Sequence, residues 1–224
     1  MVIVRTLNRQ DEITLGLVVF NVIFFFYEIL KLGTDFLMGG ANVDFTSVGA
    51  LNASTPLYTF ITSMFLHGSV IHLIMNMGAL LSIGLMIRRG FGLFFYVIGY
   101  FASGIGANIL SVMVMPDTTT VGASGAIFGL FGMYIAYALF EGGFNHFYNA
   151  AISVGLSLVS GLMIPQVNIW AHLGGAVIGF VLGLVFMLII KGGQKMQQGF
   201  RNRNNPQRRR SDGEPEEEEQ RFYY

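Results

Sequence analysis

The sequence contains no cysteine, and only 12% of its residues are charged. Without cysteine the chain can form neither a disulfide nor a thiolate metal site, and a cysteine nucleophile is excluded as well. The 13 basic and 13 acidic residues balance to a formal net charge of +0. This balance gives no indication of a nucleic-acid partner, and we expect none.

Apolar residues and glycine are abundant instead. The chain is 53% hydrophobic and carries 29 glycines, 12 methionines and 21 phenylalanines. An ordinary soluble domain does not need so much apolar surface. Frequent glycine is typical of membrane helix bundles, in which small residues let backbones approach closely. The composition therefore favours an all-α membrane protein.

Six apolar segments follow one another along the chain and predict six membrane helices. Each is near the roughly 20 residues that a bilayer requires, and they cover residues 13–32, 57–87, 91–115, 123–140, 147–164 and 170–190. The second is long for one crossing, so we expect its start to lie outside the hydrocarbon or to tilt. The long connection 33–56 carries apolar side chains and is expected at the membrane interface.

The basic residues predict an orientation for these segments. With six crossings, Lys31 is the only basic residue on one side. The others fall on the opposite side, namely Arg5, Arg9, Arg88, Arg89 and those of the basic tail. The positive-inside rule then places both termini in the cytoplasm. Glu28 and Lys31, three residues apart on one helical face, are interpreted as a pair at the outer interface.

The chain is accordingly divided into three parts. Residues 1–12 form a short cytoplasmic N-terminus, residues 13–190 the six-helix membrane domain, and residues 191–224 a cytoplasmic tail that is first basic and then acidic. Runs of like charge are usually solvated, so we expect the tail to be disordered and to carry no catalysis.

Three groups of polar residues within the apolar segments form a candidate site, because polar residues in membrane helices are costly and usually functional. They are Ser124 in Gly122-Ala123-Ser124-Gly125, the set His67, His72 and Asn76, and His172. Helical rise places His72, Ser124 and His172 about 24, 25 and 28 Å above the cytoplasmic ends of their segments. All three therefore lie near the outer part of a core roughly 30 Å thick.

The chemistry of these groups is that of a serine hydrolase. Ser124 would be the nucleophile and His172 the base that takes its proton. No aspartate or glutamate is expected inside the segments near this level, which predicts a serine–histidine dyad without a carboxylate. His72 and Asn76 share one helical face, and with the free amides at Ser124 and Gly125 they can donate to an oxyanion.

Glycines at intervals of three or four residues suggest how serine and base would meet. Gly175, Gly179 and Gly183 recur in the last segment, and a similar series occurs in the fourth at Gly125, Gly129 and Gly132. Such small-residue faces allow the close crossing of two helices.

In combination, these motifs resemble the rhomboid intramembrane serine proteases over roughly residues 57–190. The resemblance implies a six-transmembrane-helix rhomboid bundle, with Ser124 as nucleophile, His172 as base, and His72, Asn76 and the Ser124 amide as the oxyanion hole. Gly122 and Gly125 would support that hole, and His67 would brace the first loop. It also implies an integral, multi-pass protein of a bacterial or archaeal plasma membrane that cuts single-span protein substrates in or near their transmembrane helices.

The sequence departs from many rhomboids at two places. Tyr58-Thr59 stands where many have Trp-Arg at the end of the first loop, and Phe128 stands where many have tyrosine four residues after the serine. Phenylalanine can still stack on His172 but has no hydroxyl to donate.

Two other classes of function remain to be weighed against an endopeptidase. One is a non-proteolytic rhomboid-like protein that binds membrane helices, against which the presence of both Ser124 and His172 argues. The other is a transporter or channel with His72, Asn76 and His172 along a path or around a metal. Two histidines and an amide are a poor ligand set, so we expect neither a metal nor a cofactor.

Overall fold

The computed structural model describes residues 11–39, 43–142, 148 and 168–203. Within this part of the chain, regular structure is helical, apart from one isolated antiparallel bridge between Leu51 and Thr120. The α-helices are α1 (Glu12–Leu32), α2 (Thr59–Thr62), α3 (Val70–Phe91), α4 (Leu93–Val114), α5 (Ser124–Tyr137) and α6 (Ile169–Arg203). Short 3-10 helices cover Phe45–Val48 and Ser63–Phe65, and a π-helical turn, Ala138–Gly142, continues α5.

Five of these helices are long and apolar enough to cross a membrane: α1, α3, α4, α5 with its π-helical turn, and α6. Large apolar side chains point outward from the first and last of them, including those of Ile23, Leu30, Val177 and Val181. The protein is therefore an all-helical, multi-pass membrane protein. The predicted segment 147–164 lies outside the described residues except for Tyr148, so the sixth crossing and the cytoplasmic placement of both termini stay predictions.

Helix α5 is the most enclosed of the five. Of the most apolar stretch of Ser124–Glu141, 56% is buried inside the protein, against 22% for the corresponding stretch of α1. Helix α5 packs against α3 and α4, and glycines bring the backbone of α6 onto it. Ser124 is the first residue of α5 and is therefore carried by the most enclosed helix of the domain.

The long apolar segment 57–87 is not one helix. Helix α2 and the 3-10 helix Ser63–Phe65 use its first part, the chain then turns through residues 66–69, and α3 begins at Val70. Ser69 caps α3, since its Oγ accepts the backbone N–H of His72 at 3.2 Å. The excess length of this segment is therefore explained by a separate structure before the crossing helix.

The last helix is longer than its apolar segment. The expectation that residues from Lys191 onward are disordered is wrong for residues 191–203, which continue α6 to Arg203. The physical reason is local: residues 194–198 are Gln-Lys-Met-Gln-Gln, all good helix formers, and the next proline is Pro206. Residues 204–224 lie outside the described part of the chain.

The connection after α1 folds back onto the protein. Asp44 caps the 3-10 helix Phe45–Val48 by accepting the N–H of Thr46 at 2.9 Å. Leu51 and Thr120 exchange two backbone hydrogen bonds of 3.1 and 2.8 Å, which ties the connection to the loop before α5. Phe36 and Leu51 are completely buried, so part of the apolar character of this segment serves the interior of the protein.

Candidate active site

Ser124 follows a turn at Gly122, whose backbone conformation only glycine adopts easily. Gly122 has a φ of 127°, and its backbone N–H donates to the carbonyl of Ser63 at 2.8 Å. A Cβ at Gly122 would lie 2.9 Å from Cε1 and Nε2 of His72 and 3.6 Å from Oγ of Ser124. The imidazole of His72 and the Ser124 hydroxyl therefore lie on the same side of this turn.

His72 and Asn76 lie on consecutive turns of α3. The Asn76 side chain is buried, and its Nδ2 has no hydrogen-bond partner among the residues that the structure describes. Ser124 and the residues directly after it form the first turn of α5, whose amides have no acceptor within the helix. Imidazole, amide side chain and helix N-terminus thus supply three kinds of hydrogen-bond donor.

The ring of His172 lies flat on Phe128. The two ring centroids are 4.3 Å apart with an angle of 21° between the planes, as the sequence suggested. Phe128 follows Ser124 by four residues, and residues at that spacing occupy the same face of an α-helix. The imidazole of His172 therefore lies against the face of α5 that carries Ser124.

The glycine series of α5 and α6 face each other. A Cβ at Gly175 would lie 2.9 Å from the carbonyl carbon of Gly125, and one at Gly179 would lie 2.6 Å from Cα of Gly129. Real Cβ atoms do not approach other atoms so closely, so the two backbones are in direct contact. This confirms the predicted close crossing, which brings the start of α6 and His172 to the start of α5.

Asn168, which the sequence analysis missed, fixes the start of α6. Its Oδ1 accepts the N–H of Ala171 at 3.1 Å, which is the bond of an N-cap residue. Its Nδ2 donates to the hydroxyl oxygens of Ser111 and Thr120. The signal was present in the sequence, because an asparagine directly before an apolar helix is a typical cap. Asn168 anchors the turn that precedes His172.

The expected pairing of Glu28 with Lys31 is wrong. Glu28 is completely buried, whereas Lys31 is exposed. Oε1 of Glu28 accepts the backbone N–H of His67 at 2.9 Å. A carboxyl group is therefore present inside a membrane helix close to the site. It escaped detection because the spacing to Lys31 predicts a local pair, whereas the partner comes from a residue 39 positions away.

The role of His67 as a brace of the first loop stays a prediction. Its ring is completely buried. Burial lowers the pKa of His67 to about 3, with the neighbouring His72 adding to the effect, so this ring is neutral at physiological pH. Its centroid lies 5.1 Å from that of His72, edge to face.

Membrane-crossing helices around half-buried Ser124 and His72 and buried Asn76 and His172 define an integral membrane protein with a polar site in its helical domain. Comparison with known proteins gives the family. The model of the rhomboid domain matches residues 54–189, which is more than half of the chain. The protein belongs to the rhomboid family.

Named relatives occur in a plant and in a bacterium. The chain is 32% identical over 181 residues to RHOMBOID-like protein 1 of Arabidopsis thaliana, covering 76% of this chain and 45% of the relative. RHOMBOID-like protein 4 of the same plant is 32% identical over 162 residues, covering 68% and 41%. Rhomboid protease AarA of Providencia stuartii is 29% identical over 212 residues, covering 79% and 73%.

Two consequences follow from these relatives. The chain spans less than half the length of the two plant relatives, so their whole activity does not transfer to it. Because relatives come from both a plant and a bacterium, they do not decide the membrane in which this protein resides, and the bacterial or archaeal plasma membrane stays a prediction.

Proposed function

We propose that this protein is an intramembrane serine endopeptidase that hydrolyses peptide bonds in or near the transmembrane helices of other membrane proteins. The observation that carries the proposal is the stacking of His172 on Phe128, one turn after Ser124 on α5. This contact places the imidazole of His172 on the face of α5 that carries Ser124, the first residue of that helix. The name of the relative AarA, a rhomboid protease, supports the same activity.

In this proposal, Ser124 and His172 carry the covalent steps. Oγ of Ser124 attacks the peptide carbonyl carbon while His172 takes the hydroxyl proton, and His172 then passes that proton to the departing amine. Water attacks the resulting acyl-enzyme in a second round that restores the serine. The stacked ring of Phe128 orients the imidazole where other serine hydrolases use a carboxylate.

The oxyanion would be stabilised by donors from two helices. The imidazole of His72 lies beside the Gly122 turn, next to Ser124. Asn76 follows His72 one turn along α3, and its Nδ2 makes no competing hydrogen bond within the described residues. Donors that are fixed before the reaction stabilise the developing charge strongly, and removal of one such donor costs about 100- to 1,000-fold in kcat.

The substrate class follows from the position of the site. A single-span membrane protein presents its helix to the side of a helical domain, and attack on a peptide carbonyl requires that helix to be extended locally. Gly or Pro near the cut should therefore favour cleavage, because both weaken a helix. No cofactor takes part in these steps.

Cleavage of a reconstituted substrate tests the proposal. The parent protein and Ser124→Ala are each incubated in liposomes with a single-span substrate whose outer helix end contains small residues, and products are mapped by mass spectrometry. Products with the parent and none with Ser124→Ala are expected. Equal cleavage by both would reject Ser124 as the nucleophile. A parent that binds the substrate helix without cutting it would favour the non-proteolytic rhomboid-like binding protein.

A further inference from the structure

We propose that Glu28 of α1 is a positioning residue for the active site, acting on His72 through the turn of residues 66–69, here called the His67 turn. This inference rests on the proposed function of Ser124 and His172. Glu28 lies outside residues 54–189, the part of the chain that matches the rhomboid domain. The site would therefore depend on a helix that precedes the matched region.

The first of the contacts that connect Glu28 with the active site joins α1 to the His67 turn. Glu28 is completely buried near the end of α1, and its Oε1 accepts the backbone N–H of His67 at 2.9 Å. His67 lies between the 3-10 helix Ser63–Phe65 and α3, so no helix supplies an acceptor for this N–H. The carboxyl group of Glu28 thus fixes the backbone at the middle of the turn.

Two further contacts join the turn to His72. Ser69, at the end of the His67 turn, accepts the backbone N–H of His72 at 3.2 Å as the N-cap of α3. The ring of His67 packs edge to face on that of His72, with centroids 5.1 Å apart and an angle of 64°. Both the backbone and the imidazole of His72 are therefore held by residues of the turn that Glu28 fixes.

The last contact reaches the reacting atoms. The imidazole of His72 would lie 2.9 Å from a Cβ at Gly122, and the Ser124 hydroxyl would lie 3.6 Å from that same Cβ. A displacement of the His67 turn would thus move an oxyanion donor relative to the nucleophile. Misplacement by about 1 Å of a group at a reacting centre can cost on the order of 100-fold in rate.

A buried carboxyl group is an expensive way to fill space in a membrane helix. Glu28 contacts the backbone of His67, whose ring packs on that of His72, while Lys31 on the same helix as Glu28 is exposed. The Glu28 carboxyl group accepts a hydrogen bond from the backbone N–H of His67, which an apolar side chain could not do. Glutamine can make the same bond and leucine cannot, and this difference supplies the test.

The experiment compares Glu28→Gln, Glu28→Leu and the control Glu12→Leu, which replaces an exposed glutamate at the other end of α1. Active sites are titrated with a fluorophosphonate, and kcat and KM are measured per titrated site in liposomes. For Glu28→Leu we expect kcat to fall at least about tenfold with KM within about twofold, because oxyanion contacts act in the transition state. Glu28→Gln and Glu12→Leu should stay within about threefold of the parent.

Each other outcome has a definite meaning. If Glu28→Leu has fewer titratable sites but an unchanged kcat per site, Glu28 serves folding alone and the inference is overturned. Equal losses in Glu28→Gln and Glu28→Leu would overturn the role of the accepted hydrogen bond. A parent that neither reacts with the fluorophosphonate nor cleaves would reject the proposed function together with this inference, whereas an active parent with a fully active Glu28→Leu would reject the inference alone.

Discussion

Phe128 is the residue that most clearly adapts this site to a dyad. Its ring covers the imidazole of His172 at 4.3 Å, and a flat contact of this kind restricts the ring to one plane. Aromatic pairs contribute about 0.5–1.5 kcal/mol beyond the area they bury. In our account this contact orients the base, so its loss should appear in the chemical step.

Phe128→Leu nearly preserves volume and removes the flat surface under His172. We expect kcat to fall by about tenfold, the equivalent of about 1.4 kcal/mol in the activation free energy. Phe128→Tyr should keep the stack and remain within about threefold of the parent. The rates are measured with the reconstituted cleavage assay.

The matched control is Phe131→Leu, since Phe131 lies on the same helix with its ring 6.0 Å from that of Phe128. This control should stay close to the parent. An equal loss of kcat in Phe131→Leu and Phe128→Leu would mean that general packing of α5, rather than the stacked imidazole, controls the rate.

Gly122 supports a second prediction at the same scale. Gly122→Ala meets both a φ of 127° and the His72 ring, 2.9 Å from the new Cβ, whereas Gly92→Ala meets a φ of 84° with nothing within 4 Å. Each substitution carries a backbone cost of about 1–3 kcal/mol, because both positions have a strongly positive φ. Only Gly122→Ala should also slow fluorophosphonate labelling of Ser124, by at least about tenfold.

The labelling rate constants of both variants give the comparison directly. Similar rate constants for Gly122→Ala and Gly92→Ala would show that the closeness of Gly122 to His72 has no catalytic consequence.

Residue types and spacing predicted the candidate residues that occur in local motifs, and the catalytic roles of these residues stay predictions. Ser124, His72, Asn76 and His172 were all found as polar groups in apolar segments, and the structure places His72 beside Ser124 and His172 on Phe128. Glu28 was misjudged because its partner is distant in sequence. Periodicity describes which residues share a helix face, but not which neighbouring element covers that face.

At the scale of helices, the crossing of α5 and α6 determines whether serine and base can meet. Gly175 contacts Gly125, and one turn further Gly179 contacts Gly129, in each case through backbone atoms. Backbone cannot move aside as a flexible side chain can, so a methyl group at either position must separate the two helices.

Gly179→Ala should therefore destabilise the protein. Overpacking of an interior contact costs about 1–3 kcal/mol, and we expect a lower thermal midpoint in detergent together with slower fluorophosphonate labelling. The matched control is Gly192→Ala in the same helix, where a new Cβ meets nothing within 4 Å. Alanine favours helix over glycine by about 1 kcal/mol, so this control should be as stable as the parent or more so.

The thermal midpoints of Gly179→Ala and Gly192→Ala, measured side by side, show whether a methyl group at residue 179 destabilises the protein. A Gly179→Ala protein as stable as Gly192→Ala would contradict the backbone contact between α5 and α6.

Helix positions were easier to predict than helix ends. The apolar segments gave α1, α3, α4, α5 and α6, because a membrane core requires long apolar helices. The ends differed where local chemistry outweighs hydropathy: the Ser69 cap starts α3 well inside one apolar segment, and good helix formers carry α6 beyond the apolar residues to Arg203.

At the scale of the whole molecule, the functional unit is larger than the region that matches the rhomboid domain. That match begins at residue 54, yet α1 supplies Glu28, and the connection after it pairs Leu51 with Thr120 just before the Gly122 turn. The first helix and its loop are therefore part of the environment of the site. Composition alone predicted a membrane protein, but only the assembled helices bring Glu28 of α1 onto the His67 turn.

The central claim, that Ser124 is a nucleophile activated by His172, is tested most directly by intact-protein mass spectrometry after reaction with a fluorophosphonate. We expect one adduct on the parent, mapped to Ser124 after digestion, none on Ser124→Ala, and little or none on His172→Ala. An unlabelled parent, or an adduct of equal yield on Ser124→Ala, would contradict it.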